Sequence, residues 1–359
     1  MSFSATLLTR VVVVGTGLIG RRHASTVKNA RRARLVAVVD PFRPSQELLE
    51  ELSVPWFASV AELLATNLHL DCAIICTPND SHVSVGLELI AAGIPILVEK
   101  PISIAIESGR KLIEAARAAD VKILVGHHRR FNPFVVAAKD TLAAGHLGDV
   151  TAINGFWMTY KPMQYFLEPT EWRQSAAGGV VLINMIHEVD TLQYLFGPIS
   201  RVYAEKTISR RGFHAEEGAA ITLRFASGIV GTFLLSDNTP AQCNFESGTG
   251  ENPLIPRSGE NFYQIFGTSG MLQVPSMVIC SYKQSEKSWH SPMSKTILEV
   301  KHAVPFELQL EHFLNVIHRK EEPRCSGEAG LQALIVCEAL KRSMKEERPV
   351  TVDEIASSA

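Results

Sequence analysis

Short apolar runs, rich in β-branched residues, recur through the first third of the chain, and stretches of helical period separate them. Val11 to Val14, Leu35 to Asp40, Cys72 to Cys76, Ile96 to Glu99 and Ile123 to Gly126 are near-continuous apolar runs, as a strand buried on both faces requires. Between them, Leu18 to Asn29, a stretch near Ser45 to Leu52, Val60 to Ala65, Ser81 to Ala92 and Ile104 to Ala119 read as helices, with Gly93 just past the end of the fourth. Strand and helix in alternation predict a parallel sheet with helices on both faces, because parallel neighbours need long crossovers.

The pattern changes after residue 130. Asn132-Pro133 can open a helix running to Ala144, and Gly145 and Gly148 punctuate its end. Strand-like segments then follow one another without helices: Val150 to Trp157, Arg201 to Thr207, Ala219 to Ala226, Ile229 to Ser236, Asn261 to Gly267 and Met277 to Tyr282. This succession predicts an antiparallel sheet, and Ser227-Gly228 suits a tight hairpin between the third and fourth segments. Two amphipathic helices, Phe306 to Arg319 and Glu328 to Lys345, close the chain. Residues 237–260, rich in Asn, Gly, Ser and Pro, read as a long loop of the kind that forms a lid or interface arm. The fold class expected is therefore α/β, with a doubly wound parallel domain over residues 1–128 and a mostly antiparallel open sheet with helices over 129–359.

Composition narrows the functional classes. The 359 residues are 46% hydrophobic and 20% charged, and no apolar run approaches the roughly 20 residues that a membrane span needs. A net charge of −2 gives no electrostatic footprint for nucleic acid or anionic lipid. The six cysteines are scattered without metal-ligand spacing, so reduced thiols and no metal site are expected. Cys72 and Cys76 would be core residues of one strand. The segment from Met1 to Thr6 leads directly into the first strand run without a signal-peptide pattern, which suggests a cytoplasmic protein.

The first strand ends in Gly15-Thr16-Gly17-Leu18-Ile19-Gly20, and Asp40 ends the second strand 20 residues after Gly20. Placed between strand and helix, the three glycines serve the tight turn, the close approach of backbone to a pyrophosphate, and helix–strand contact. The anion would sit on the helix N-terminus, where N–H groups are unsatisfied. A carboxylate at Asp40 can accept from both ribose hydroxyls and repels a 2′-phosphate, so NAD is the expected cofactor. Arg43, three residues on, leaves NADP open if Asp40 turns away.

Two further strand ends carry unusual residues. The third stops at Thr77-Pro78-Asn79, followed by His82, and the fourth stops at Glu99-Lys100-Pro101. Ligands of open α/β sheets bind beyond the carboxyl ends of the strands, which aims Lys100 at the nicotinamide end of the crevice. In the second half, Gly178-Gly179 precedes a helix with Leu182, Met185, Ile186 and Val189 as apolar positions. Asn184, His187, Asp190 and Thr191 share its other face. His187 reads either as a functional base or as a core histidine bonded to Asp190.

In this order, the Gly15-Gly17-Gly20 motif with Asp40, Thr77-Pro78-Asn79 with His82, Glu99-Lys100-Pro101, and the helix of His187 and Asp190 resemble the Gfo/Idh/MocA family of NAD(P)-dependent oxidoreductases. The resemblance implies a Rossmann domain followed by an α/β domain whose open sheet binds substrate and forms oligomer contacts. It implies hydride transfer between nicotinamide C4 and a carbinol or carbonyl carbon of a sugar, inositol or related polyol. Lys100 and His187 match the family's catalytic lysine and histidine, and the Lys100-Pro101 bond is expected to be cis. Gly15, Thr16, Gly17, Leu18, Ile19, Gly20, Asp40, Thr77, Pro78, Asn79, His82, Glu99 and Lys100 are the expected cofactor residues. Asn184, with Tyr160, Trp172 and Arg173, joins Lys100 and His187 as candidate substrate contacts. Many relatives place an Asp four residues before the histidine, where this chain has Ile183, with Asn184 next to it. Asn can bond a hydroxyl but cannot carry a proton away. A reductase of a dihydrodiol or imine, and a regulatory protein that binds NAD(P) without turnover, are the alternatives. A homodimer or homotetramer is expected, built on the open sheet.

Overall fold

A computed structural model describes residues 8–283 and 287–358; the segment from Met1 to Thr6 lies outside the described residues. The chain divides into two compact units, one reaching to Phe131 and including Val304–Gln332, the other comprising Asn132–Ala303 and the residues from Ala333 on. The hydropathy pattern draws a single boundary at 128/129. The difference arises because the helix Pro305–Ile317 belongs to the first unit, where Phe306 sits between the rings of His23 and His128, at 5.0 and 4.7 Å.

The first unit alternates β1 (Thr9–Val14), α1 (Leu18–Asn29), β2 (Ala33–Val39), α2 (Gln46–Leu52), β3 (Trp56–Phe57), α3 (Val60–Leu64), β4 (Cys72–Ile75), α4 (His82–Ala91), β5 (Ile96–Val98), α5 (Ile106–Ala118) and β6 (Ile123–Val125). Among the described residues, these strands pair in parallel in the order β3-β2-β1-β4-β5-β6. Val11, Val12 and Val13 are wholly buried, as are Cys72 to Ile75 and Ile96 to Val98, which is why the central strands read as unbroken apolar runs. β3 escapes such a reading: two residues carry no periodicity. The strand order reverses between β1 and β4, and the carboxyl ends at that switch point are where an open α/β sheet binds ligands.

The second unit begins with α6 (Pro133–Ala143), whose N-cap Asn132 accepts from the Phe134 N–H while Pro133 fills the first helical position. It continues with β7 (Val150–Met158), α7 (Ile186–Phe196), β8 (Ile199–Lys206), β9 (Gly218–Phe225), β10 (Val230–Ser236), α8 (Phe245–Thr249), β11 (Tyr263–Gly267), β12 (Gly270–Val274), β13 (Val278–Ser281) and β14 (Ser294–Ile297). After α9, the Pro305–Ile317 helix, come α10 (Gly327–Glu346), β15 (Val350–Thr351) and α11 (Val352–Ser358). The strands form one sheet in the order β14-β13-β12-β11-β7-β10-β9-β8-β15, antiparallel throughout the described residues except for the parallel pair β7 and β10. In β9 and β10 burial alternates residue by residue, so one face is covered and the other is open to solvent. The hairpin between them turns at Gly228, whose φ of +94° needs a glycine.

Residues 237–260 are not the plain loop that their composition suggests. Phe245 is fully buried in α8, Glu246 accepts from the Trp157 indole N–H at 2.8 Å, and Asn244 donates to the Met158 carbonyl at 3.1 Å. The polar residues are there because they cap and fasten the segment against β7. No helix among the described residues is long and apolar enough to cross a membrane.

Candidate active site

In the first unit, the turn after β1 has the form its glycines require. Gly15 has φ +92°, and a Cβ there would lie 2.6 Å from the Cys76 carbonyl oxygen; one on Gly20 would lie 1.9 Å from that of Gly15. A Cβ on Gly17, by contrast, would meet nothing within 4 Å. Gly17 caps α1 without a side chain, so the first N–H groups of the helix look into that open space. The cradle therefore fits a pyrophosphate: closed by backbone on the protein side, open on the ligand side, and lined with donors. The flanking Leu18 and Ile19 are exposed.

Asp40 stands across the turn. Its Oδ2 accepts from the N–H and the hydroxyl of Thr16, both at 2.8 Å, and its Oδ1 accepts from the Phe42 N–H at 3.0 Å. The Trp56 indole donates to the Asp40 carbonyl at 2.8 Å, and the Arg43 guanidinium lies 5.7 Å from the centre of the Trp56 ring.

At the ends of β4 and β5 two loops are fastened together. His82 is 1% exposed; its Nδ1 lies 2.8 Å from the Pro101 carbonyl oxygen and its Nε2 lies 2.9 Å from that of Thr77. Burial lowers its pKa, against the pull of those two carbonyls. His82 thus braces the Thr77-Pro78-Asn79 loop against Pro101 from beneath, while the buried Thr77 hydroxyl has no partner among the described residues. Glu99, also buried, takes a bond from His23 Nε2 at 2.9 Å and one from the Lys100 N–H at 3.2 Å. Burial by itself would raise the Glu99 carboxyl; the bond and charge of His23, with positive charge from His128 and Lys100, outweigh it and hold the carboxyl below its ordinary value. The Lys100–Pro101 peptide is cis, as expected. Cys72 opens β4 and Cys76 follows its carboxyl end, and burial pushes both thiols well above their ordinary values.

The second unit carries the other candidate residues. Gly178 and Gly179 admit close neighbours: a Cβ on Gly178 would lie 2.3 Å from Arg173 Cα, and one on Gly179 would lie 1.9 Å from the Glu216 carboxylate. Glu216 Oε1 in turn accepts from the Val181 N–H at 2.9 Å. The helix does not start as a plain α-helix: Val181–Met185 is a π-helical turn, and α7 follows. The extra residue per turn shifts Ile183 and Asn184 relative to the face that 3.6-residue spacing assigns them. Asn184 and His187 are nearly buried, Asp190 and Thr191 fully so, and the Thr191 hydroxyl donates to the His187 carbonyl at 2.8 Å.

Spacing alone missed the residues that hold Asn184. Lys161 donates to Asn184 Oδ1 at 2.7 Å and pairs with Asp237 at 3.2 Å, and Asp237 pairs with Arg211 at 2.6 Å. Burial lowers the Lys161 pKa, partly offset by the Asp237 charge. Lys161 and Asp237 lie just beyond the ends of the parallel neighbours β7 and β10, where the Lys161 N–H donates to the Asp237 carbonyl at 2.8 Å. Only that pairing could have signalled them. Among the other candidates, Tyr160 and Trp172 are half exposed. Arg173 lies against the Tyr165 ring, 3.8 Å from its centre, and donates to the Tyr165 carbonyl at 3.0 Å.

Comparisons with known proteins identify the family. Residues 9–127 match the oxidoreductase-family profile described as an NAD-binding Rossmann fold, and residues 139–352 match that of the family's C-terminal alpha/beta domain. The inositol 2-dehydrogenase of Rhizobium meliloti is 24% identical over 96% of this chain and 99% of its own, and the myo-inositol 2-dehydrogenase of Thermotoga maritima is 24% identical over 96% and 99%. A crystal structure of an oxidoreductase from Agrobacterium radiobacter, solved with NAD+, L-tartaric acid and magnesium, superposes with a TM-score of 0.80 at 16% identity over 97% of this chain and 99% of that one. With both halves matched in order, and with the glycine cradle and Asp40 in place, the chain belongs to the Gfo/Idh/MocA family of oxidoreductases and takes NAD as its cofactor.

Proposed function

We propose that this enzyme oxidises a secondary alcohol of a cyclic polyol, with inositols first among the candidates and sugars next, and reduces the corresponding ketone in reverse. The observation that carries this reading is the cluster of strand-end groups in the first unit. The open cradle at Gly17, the clamped carboxylate of Asp40 and the Glu99-anchored Lys100 all follow the carboxyl ends of β1, β2 and β5. The inositol dehydrogenases among the relatives support the substrate class. When bound, NAD supplies the hydride acceptor at C4 of its nicotinamide.

The chain's own residues do the rest. Lys100 holds the reacting oxygen, and its charge stabilises the alkoxide that develops as hydride leaves carbon. His187 accepts the hydroxyl proton, a task that a neutral imidazole nitrogen can perform. Asn184 has its carbonyl oxygen occupied by Lys161, so it presents N–H donors to a neighbouring substrate oxygen. Tyr160 and Trp172 offer surface for the ring of the substrate. Thr77, Pro78 and Asn79 line the cofactor side, with the Thr77 carbonyl held by His82. NADP is the secondary cofactor. We place the enzyme in the cytoplasm, where its six thiols stay reduced, and as a homodimer or homotetramer joined through the open sheet face.

A panel of inositols, aldoses and sugar acids, assayed for NAD reduction by nicotinamide absorbance, tests the reading. Turnover confined to cyclic polyols and sugars is expected. Absence of turnover with every polyol and sugar, or turnover only with an imine or dihydrodiol, would overturn it.

A further inference from the structure

An ionised carboxylate offers about four acceptor directions, two on each oxygen. At Asp40 the chain itself occupies three. Oδ2 takes both the N–H and the O–H of Thr16, and Oδ1 takes the Phe42 N–H. One direction remains, on Oδ1. The backbone of Asp40 is held as well, by the Trp56 indole on its carbonyl and by its own N–H on the Phe57 carbonyl at 3.1 Å. The carboxylate cannot swing without breaking charge-assisted bonds. Two of its three donors are backbone amides, which any residue but proline would supply at positions 16 and 42. The Thr16 hydroxyl is the one donor chosen by side-chain identity, and it is buried with its residue at 8% exposure. Arg43, beside the Trp56 ring, is the group that a 2′-phosphate would need if Asp40 moved aside.

We propose that Thr16 sets dinucleotide selectivity by closing one oxygen of Asp40, so that the carboxylate grips a single ribose hydroxyl, the 2′, and is kept from turning away to let Arg43 receive a 2′-phosphate. This makes Thr16 a positioning residue, acting through Asp40. It rests on the reading that Asp40 faces the adenosine ribose, and the experiment separates the two ideas.

Dissociation constants for NAD, NADP, 2′-deoxy-NAD and 3′-deoxy-NAD are measured by calorimetry on the full chain and on Thr16→Val, Thr16→Ala, Thr16→Ser and Asp40→Ala. The parent should favour NAD over NADP by about tenfold or more. Thr16→Val and Thr16→Ala should each narrow that ratio by about 5- to 20-fold, and Thr16→Ser should restore it, a size consistent with losing one bond to a charged group. Each ratio is taken within one variant, so a smaller folded fraction cancels. On the parent, which needs no variant, loss of the 2′-hydroxyl should weaken binding about tenfold and loss of the 3′-hydroxyl about threefold or less. A ratio unchanged in both Thr16→Val and Thr16→Ala while Asp40→Ala abolishes it overturns the role of Thr16 and leaves the ribose reading standing. Equal losses for the two deoxy analogues overturn the single-hydroxyl grip. A ratio unchanged in Asp40→Ala overturns the ribose reading and the proposal with it.

Discussion

Asp40 Oδ2 accepts the backbone N–H and the hydroxyl of Thr16, each at 2.8 Å, so the end of β2 and the glycine turn after β1 are fastened to one another by a single oxygen. Asp40→Ala removes both this clamp and the proposed ribose acceptor. NAD affinity should fall more than about tenfold, as expected for loss of a charged hydrogen bond of about 1.5 to 3 kcal/mol, while NADP affinity should fall less. Calorimetry with both dinucleotides decides: equal losses would reduce Asp40 to a structural clamp.

The glycines of the turn should separate by role. Gly17→Ala adds a Cβ where the protein offers no neighbour within 4 Å, so the melting temperature should hardly move while NAD binding weakens, because the methyl stands where a pyrophosphate must approach. Gly20→Ala drives a Cβ to 1.9 Å from the Gly15 carbonyl oxygen and should destabilise the fold by about 2 kcal/mol or more. Thermal melts beside NAD titrations test the pair; a destabilised Gly17→Ala with intact binding would contradict it.

Glu99 gives the stability an acid limb. Its folded pKa lies below the ordinary value of 4.5, so the stabilisation it brings is complete above that value and is lost as pH falls through the lowered folded one. Glu99→Gln should be less stable at pH 7 by about 1 to 3 kcal/mol, since a buried charged hydrogen bond from His23 is weakened. Its stability should also decline less steeply than the parent's on the acid side of 4.5. Melts across that range would expose an error as parallel curves.

Lys100→Met and His187→Ala should each lower kcat by roughly 10²- to 10⁴-fold, the span for a positioned acid or base, with NAD affinity little changed. Should His187→Ala turn over normally yet melt early, the histidine is a core residue and the base lies elsewhere.

On the open face of β10, Val230 and Leu234 are 44% and 43% exposed, an apolar pair two pleat repeats apart with Thr232 between them, in a sheet otherwise half covered. Replacing both with Glu should turn the expected dimer or tetramer into a monomer by light scattering. A parent that is already monomeric at micromolar concentration would refute that assembly.

Local chemistry was legible in the sequence alone. Apolar runs and helical periods located the central strands and helices of the first unit, because burial on both faces leaves an unbroken apolar record. The glycine spacing announced the cradle, because Gly15 and Gly20 answer clashes within a few residues or with the adjoining strand and Gly17 leaves open space before the helix. Glu99-Lys100-Pro101 and the helix of His187 stood out because charge and polarity at those places conflict with a core. What only the tertiary structure decided are the pairings across long stretches of chain: His23 on Glu99, Lys161 between Asn184 and Asp237, and Thr16 on Asp40. The two-residue strand Trp56–Phe57 and the parallel pairing of β7 with β10 belong with them, as does the return of α9 to the first unit. The π-helical turn at Val181–Met185 also stayed hidden, since its residues are ordinary helix formers and its register follows from what packs around it. Periodicity and steric demand are written residue by residue; a partner dozens of positions away is chosen only when the folded backbone brings the two side chains within reach.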